Sequence, residues 1–253
     1  MKQGTFTIIT MIAALVIAFV FFYVILAGMD KGASDTPLVH QIRSGGILVP
    51  FLITITIMLL TYIVERMITL AKAKGSAPLS TFFSGFIKNV REGKYEEATK
   101  LCDKQRGSAA AVLKAGAEQY IRDKGVQSMG TDKRLSETQR AINEARLLEV
   151  PFLERNLIAL STIASIATMV GLLGTTIGMI RAFAAMSTQG APNAAELARG
   201  ISEALVNTAL GLFAAICGIV AYNFFVNKVD QFNYQIDEAA YLMVEILKEK
   251  EAA

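Results

Sequence analysis

Glu203 is a carboxylate at the edge of a long apolar stretch, and it has polar company at helical spacing. Asn207 follows one turn later with Thr208 beside it, and Thr175 lies in the preceding apolar run. An ionisable group at membrane depth costs ~2.5–3.5 kcal/mol at the centre of a span on insertion scales, so its presence points to function. Glu203, Asn207, Thr208 and Thr175 together form a polar lane in a low-dielectric wall. Such a lane can hydrate and carry protons, or accommodate a polar group from a partner helix. A plainer alternative stays open. Glu203 can be an interfacial carboxylate with Arg199 as its i,i+4 partner, and the hydroxyls can bond back to carbonyls one turn earlier. No Lys or His accompanies the carboxylate, so if protons cross, a second protonatable group comes from another polypeptide.

The remaining reactive residues offer less. Cys102 and Cys217 lack CxxC partners, and the lone His40 cannot build a zinc site. Cys217 reads as a small interior residue and His40 as a loop residue. The glycines of 171–178 have the look of a phosphate-binding loop, but they sit in an apolar span with no Lys after them. No metal, no cofactor and no enzymatic activity are expected.

These residues need elements to hold them. Of 253 residues, 53% are hydrophobic and 19% charged, and the apolar ones are concentrated. Four uncharged stretches run from Gln3 to Met29, Ser44 to Val64, Asn156 to Ile180 and Ala204 to Asn227. Each reaches the ~20 residues that a helix needs to cross a ~30 Å hydrocarbon core. The rest of the chain is too short and polar to cover four such helices in water, so they read as membrane spans. The first is longer than the apolar core of a signal peptide and has no small-residue cleavage site after it, which favours an uncleaved helix. Its Phe19, Phe21, Phe22 and Tyr23 point all ways round, as suits a lipid-exposed span.

Lys and Arg set the orientation. The loops 30–43 and 182–199 carry balanced charge, whereas Arg66, Lys72, Lys74, the segment up to Arg155 and Lys228 are basic. The basic segments and both termini therefore share the cytoplasmic side. The net charge of +3 reads as positive-inside bias, too weak a field for a nucleic-acid partner. Between the second and third spans the chain reads as helical. A helix is expected from Lys133 to Val150, capped by Thr131-Asp132, with a stripe of Leu135, Ala141, Ile142, Ala145 and Leu148. Pro151 kinks that helix or starts the next. Beyond the fourth span, Val229, Phe232, Ile236, Ala240, Met243 and Leu247 recur at three and four, so the span continues as an amphipathic helix. That stripe serves either intramolecular packing or an oligomer interface.

The inner two spans carry small-residue faces. One runs through Ser161, Ser165, Thr168, Gly171, Thr175, Gly178 and Ala182, with Gly174 and Gly178 forming a small-xxx-small pair. The other runs through Gly200, Ala204, Asn207, Gly211, Ala214, Ala215 and Gly218. Such faces let helix backbones approach closely.

At this point the sequence resembles the ExbB/TolQ/MotA proton-channel family, its ExbB branch most closely. The resemblance is carried by LERNLIALSTIASIA at 153–167, GLLGTTIGM at 171–179, GISEAL at 200–205, TALGLFAAI at 208–216 and Tyr222-Asn223. It implies an all-α membrane protein that forms a pentamer in the bacterial inner membrane, its inner two spans lining a central pore. It also implies an ExbD-like dimeric partner, a single-span protein with a membrane aspartate, and a TonB-like protein that energises outer-membrane receptors. Thr175 and Thr208 match the family's pore-facing threonines and Glu203 its intramembrane glutamate.

The expected layout is then an extra N-terminal helix and periplasmic loop (1–43) and a second span (44–71). A cytoplasmic helical domain (72–152), the pore-forming pair (153–227) and a cytoplasmic tail (228–253) follow. Two family prolines are replaced by Thr168 and Cys217, which should straighten the helices or move their bends. Four spans match the layout of MotA, a flagellar stator, so a MotA-like or Tol-type stator remains an alternative. A self-sufficient ion channel is another.

Overall fold

The computed structural model describes residues 3–26, 45–126, 129–187 and 194–252; His40 and the whole of the loop 30–43 lie outside them. The described residues are helical throughout, with no strand among them. Helix α1 (Gln3–Val20) continues into a π-helical turn (Phe21–Leu26). It is followed by α2 (Leu48–Lys74), α3 (Leu79–Glu92), α4 (Tyr95–Gln105), α5 (Ser108–Lys124), α6 (Thr131–Glu154), α7 (Leu157–Ser187) and α8 (Ala194–Ala252).

Among the described residues, three helical stretches are long and apolar enough to cross a membrane: the one opening with α2, the one ending with α7, and α8. The described apolar part of the first helix, Met11–Tyr23, is shorter. The four-span count therefore remains a sequence expectation. Neither Thr168 nor Cys217 interrupts its helix, and α8 runs unbroken for 59 residues.

Several boundaries differ from the sequence expectation. Ser44 lies outside the described residues; Gly45 to Ile47 form a turn, and α2 starts at Leu48. Pro151 lies inside α6 and does not end it. The break comes at Arg155-Asn156, where Asn156 takes a left-handed backbone, φ 64°. Asparagine tolerates that region better than most residues. Thr131 is the first residue of α6, and Gly130 occupies the cap with no side-chain cap bond. The loop expected at 182–199 is shorter, because α7 extends to Ser187 and α8 begins at Ala194.

The chain divides into two compact units. The first comprises residues 1–64 and 156–223. There α1 buries the small residues Ala14 and Ala18, Phe19 meets Phe51 of α2 edge-on at 5.7 Å between ring centroids, and Ile55 packs on Ala167, Ala214 and Ala215. Met11, Ile12, Val16 and Ile17 of α1 are exposed, as are Phe21 and Tyr23 of the π-helical turn.

The second unit comprises residues 65–155 and 224–253. Phe82, Phe86, Cys102, Leu113, Tyr120 and Ile142 are buried there, together with Val229, Phe232, Ile236, Ala240, Met243 and Leu247 of α8. The tail stripe is thus covered by its own chain. Leu148, the end of the expected α6 stripe, is exposed. Gln105 organises the α2–α3 turn: its Nε2 donates to the Lys74 and Ala77 carbonyls at 2.9 Å each, and its Oε1 accepts from Ala77 N–H at 3.2 Å.

Candidate functional site in the inner helix pair

The small faces of α7 and α8 meet antiparallel. Gly218 lies against Ala164, Gly211 against Ala167 and Gly171, Gly174 against Asn207, Gly178 against Ala204, and Gly200 against Ala182. Most of these contacts leave no room for a Cβ without displacing backbone. Small residues on both helices are what permit backbone-to-backbone approach. Thr208 uses the proximity, its hydroxyl donating across the interface to the Gly171 carbonyl at 3.2 Å.

This register brings Glu203 to Arg181. The Glu203 side chain is 10% exposed, and its Oε1 accepts from Arg181 Nη1 at 2.5 Å; the arginine side chain is 53% exposed. The partner is therefore an arginine across the interface, in place of the Arg199 considered on the same helix. In the sequence Arg181 is only the first charge after the uncharged stretch that ends at Ile180. The signal that could have found it is the pairing of the two small faces, since opposing Ala182 to Gly200 and Gly178 to Ala204 carries Arg181 toward Glu203.

The turn before α2 closes the site. Gly46, at φ 71°, lies so close to the Glu203 carboxylate that a side chain there would overlap it. Asn207 is fully buried, and its Nδ2 donates to the Gly45 carbonyl at 2.8 Å, while its Oδ1 has no protein donor. Glu203 and Asn207 thus hold consecutive glycines of one turn, and Asn207 faces protein on every side. Glycine is required at 46, because that residue is left-handed and a Cβ there would overlap the carboxylate.

The hydroxyls of α7 bond within the helix. Thr175 donates to the Leu172 carbonyl at 2.6 Å, Thr176 to Leu173 at 2.7 Å, Thr168 to Ala164 at 3.2 Å, and Ser165 to Ser161 at 3.0 Å. Thr175 and Thr208 are half-buried. The structure therefore gathers Glu203, Asn207 and Thr208 on one interface with the packing glycines, while Thr175 bonds only to its own helix.

Two further polar clusters lie in the second unit, and neither was read from the sequence. Arg66 is 1% exposed, chelates Glu65 at 2.6 and 2.7 Å, and donates through Nη1 to the Leu153 carbonyl at 3.2 Å. It thereby caps the C-terminal end of α6, where carbonyls lack helical partners. Near the end of α8, Glu251 accepts from the Tyr120 hydroxyl at 2.6 Å, Arg134 Nη1 at 2.5 Å and the Thr131 hydroxyl at 3.3 Å. The Tyr120 hydrogen bond and Arg134 hold this carboxylate below its ordinary range against the opposing effect of burial. Burial, with the bond to Glu251, pushes Tyr120 up. Burial also pushes the Cys102 thiol up to about 12, leaving it inert at neutral pH. Among the described residues no group of His, Cys, Asp and Glu gathers as a metal site.

Comparison with known proteins puts these elements in context. Residues 113–238, which include the whole α7–α8 interface, match the profile of the MotA/TolQ/ExbB proton channel family. The chain belongs to that family. It is 36% identical over 148 residues to the Tol-Pal system protein TolQ of Haemophilus influenzae, covering 57% of this chain and 64% of the relative. It is 42% identical over 81 residues to the biopolymer transport protein ExbB of Pseudomonas putida, covering 32% and 25% respectively. With ExbB of Aquifex aeolicus it shares 43% over 77 residues, covering 30% and 52%. The chain thus spans less than two thirds of each of these relatives. The family is one of membrane proton channels, and no catalytic activity is indicated.

Proposed function

We propose that this protein is a proton-motive-force-harnessing subunit of the bacterial inner membrane, with both termini cytoplasmic. It works as a homo-oligomer, a pentamer by family resemblance, whose α7–α8 pairs line a path that Thr175 and Thr208 make polar. An ExbD-like single-span partner supplies the membrane carboxylate that takes the proton, and a TonB-like protein receives the work. The observation that carries this reading is the arrangement of α7 and α8. Glu203, Asn207 and Thr208 lie together at one glycine-packed interface, and its buried carboxylate, Glu203, is already ion-paired within the chain. A proton acceptor must therefore come from outside the pair. Each proton returning through 100 mV releases ~2.3 kcal/mol, so several must act in sequence to drive a mechanical step.

A Tol-type role is the second reading, favoured by the longer match to TolQ. The test replaces Thr175 and Thr208 singly by valine in the full chain. TonB-dependent uptake and outer-membrane integrity are then measured side by side. Loss of uptake alone supports the TonB role, and loss of integrity alone supports the Tol role. Unaltered performance in both sinks the assigned path. Proton flux through vesicles holding this chain without a partner would instead establish a self-sufficient channel.

A further inference from the structure

The geometry around Glu203 suits an anchor better than a relay. A carboxylate that relays protons must alternate between charged and neutral forms, with a donor on one side and an acceptor on the other. Glu203 faces Arg181, whose guanidinium does not give up its proton in proteins. The bond between them is charge-assisted, with the carboxylate end buried and the arginine end reaching the surface. Neutralising Glu203 would leave the arginine without its counter-ion at that position. The backbone of Gly46 also lies against the carboxylate, and it neither donates nor accepts a transferable proton.

The surroundings explain what such an anchor holds. Glu203 meets Gly46 and Asn207 meets Gly45, one helical turn apart on α8. Arg181 draws the last turns of α7 onto the same point. Three pieces of chain are therefore fastened by one ion pair and one amide.

We infer that Glu203 is a fixed charge and that Arg181 is the positioning residue that fixes it. The Arg181–Glu203 pair sets the spacing of α7, α8 and the Gly45-Gly46 turn, while proton transfer is left to the partner's carboxylate and the threonine hydroxyls. The inference rests on the proposed function for the existence of a proton path, and it takes Glu203 out of the polar lane that could carry protons.

The decisive variant exchanges the charges. The full chain is co-expressed with its carboxylate-bearing single-span partner, and proton flux into membrane vesicles is measured per incorporated protein. Arg181→Gln should lower flux by roughly tenfold or more, since it strands the buried Glu203 carboxylate, and Glu203→Gln should do the same, since it removes the ion pair that fastens α7 to α8. The double variant R181E/E203R should recover to within about threefold of the parent, because coupled neighbours are not additive. The residual flux of E203Q should keep the parent's pH profile. A double variant that binds its partner yet stays as low as E203Q overturns the inference. So does an E203Q profile that loses its acid-side dependence, and so does an R181Q variant with parental flux. A parent protein that shows no partner-dependent flux at all refutes the proposed function instead.

Discussion

Replacing Gly211 by alanine sets two effects against each other. Alanine is favoured over glycine in a helix interior by about 1 kcal/mol, which stabilises α8 taken alone. Across the interface, however, the new Cβ would stand 2.6 Å from the Ala167 carbonyl oxygen and 2.8 Å from Gly171 Cα. Both are backbone atoms of α7, so no side-chain rotation relieves the overlap. Relief requires the helices to separate, which stretches the 3.2 Å Thr208–Gly171 bond past useful length and loosens the neighbouring contacts. Overpacking of this kind costs typically ~1–3 kcal/mol, so the interface term should win. Gly85→Ala in α3 is the opposing control. There the nearest atom is the flexible Leu101 Cδ2 at 3.3 Å, and the change should be neutral or stabilising by up to about 1 kcal/mol. Thermal unfolding in detergent, followed by circular dichroism, should therefore move in opposite directions for the two alanines. A G211A protein as stable as G85A would refute close packing of α7 on α8.

Three other outcomes are expected. The Glu251 latch should contribute fully above the ordinary carboxylate value of 4.5 and be lost as pH falls through its lowered folded value. Proteolysis at the end of α8 should thus rise on acidification, and Glu251→Gln should remove that acid dependence. Arg66→Met should destabilise the second unit by about 3–5 kcal/mol, because Glu65 and the Leu153 carbonyl lose a buried partner. Urea unfolding measures it, and a loss under about 1 kcal/mol would contradict the buried cap. With its thiol pushed up to about 12, Cys102 should resist maleimide in the folded protein at mildly alkaline pH and react once denatured. Mass spectrometry of labelled peptides reports this directly, and ready native labelling would show that the α4 packing is open.

Periodicity carried much of the architecture. The stripe from Val229 to Leu247 could be read because a helix buries residues three and four apart, and all six stripe positions are buried. The small faces of α7 and α8 were legible in part: Gly171, Gly178 and Ala182 meet α8, whereas Ser165 is exposed and Ala164 and Ala167 fill the contact. Their contacts follow from size alone, since only glycine and alanine permit that approach. Local turn chemistry was less legible. Proline at 151 is the stronger breaker by propensity, yet the helix runs on to Glu154, where Arg66 caps the Leu153 carbonyl, and the left-handed Asn156 follows.

Side-chain pairing was the part that sequence could not supply. Arg181 and Glu203 are separated by a loop, and a hydropathy profile counts the arginine only as a boundary. Tyr120, Arg134 and Glu251 are far apart in the chain and meet through the packing of three helices. Spacing along one helix reports which residues share a face. It does not report which face of another helix lies opposite, because that depends on register between segments joined by loops.

By itself, then, the sequence determined that this protein is a helical membrane protein with an inner pair of spans bearing small and polar faces. Hydrophobic length and helical period are local properties of the chain and need no partner to be read. The tertiary structure decided what the polar residues do. It turned Glu203 from a lone intramembrane carboxylate into half of an ion pair, and Asn207 from a residue of a lane into a buried clasp on Gly45. Both changes come from bringing charges and dipoles on separate segments within bonding distance, where their energy depends on contact geometry.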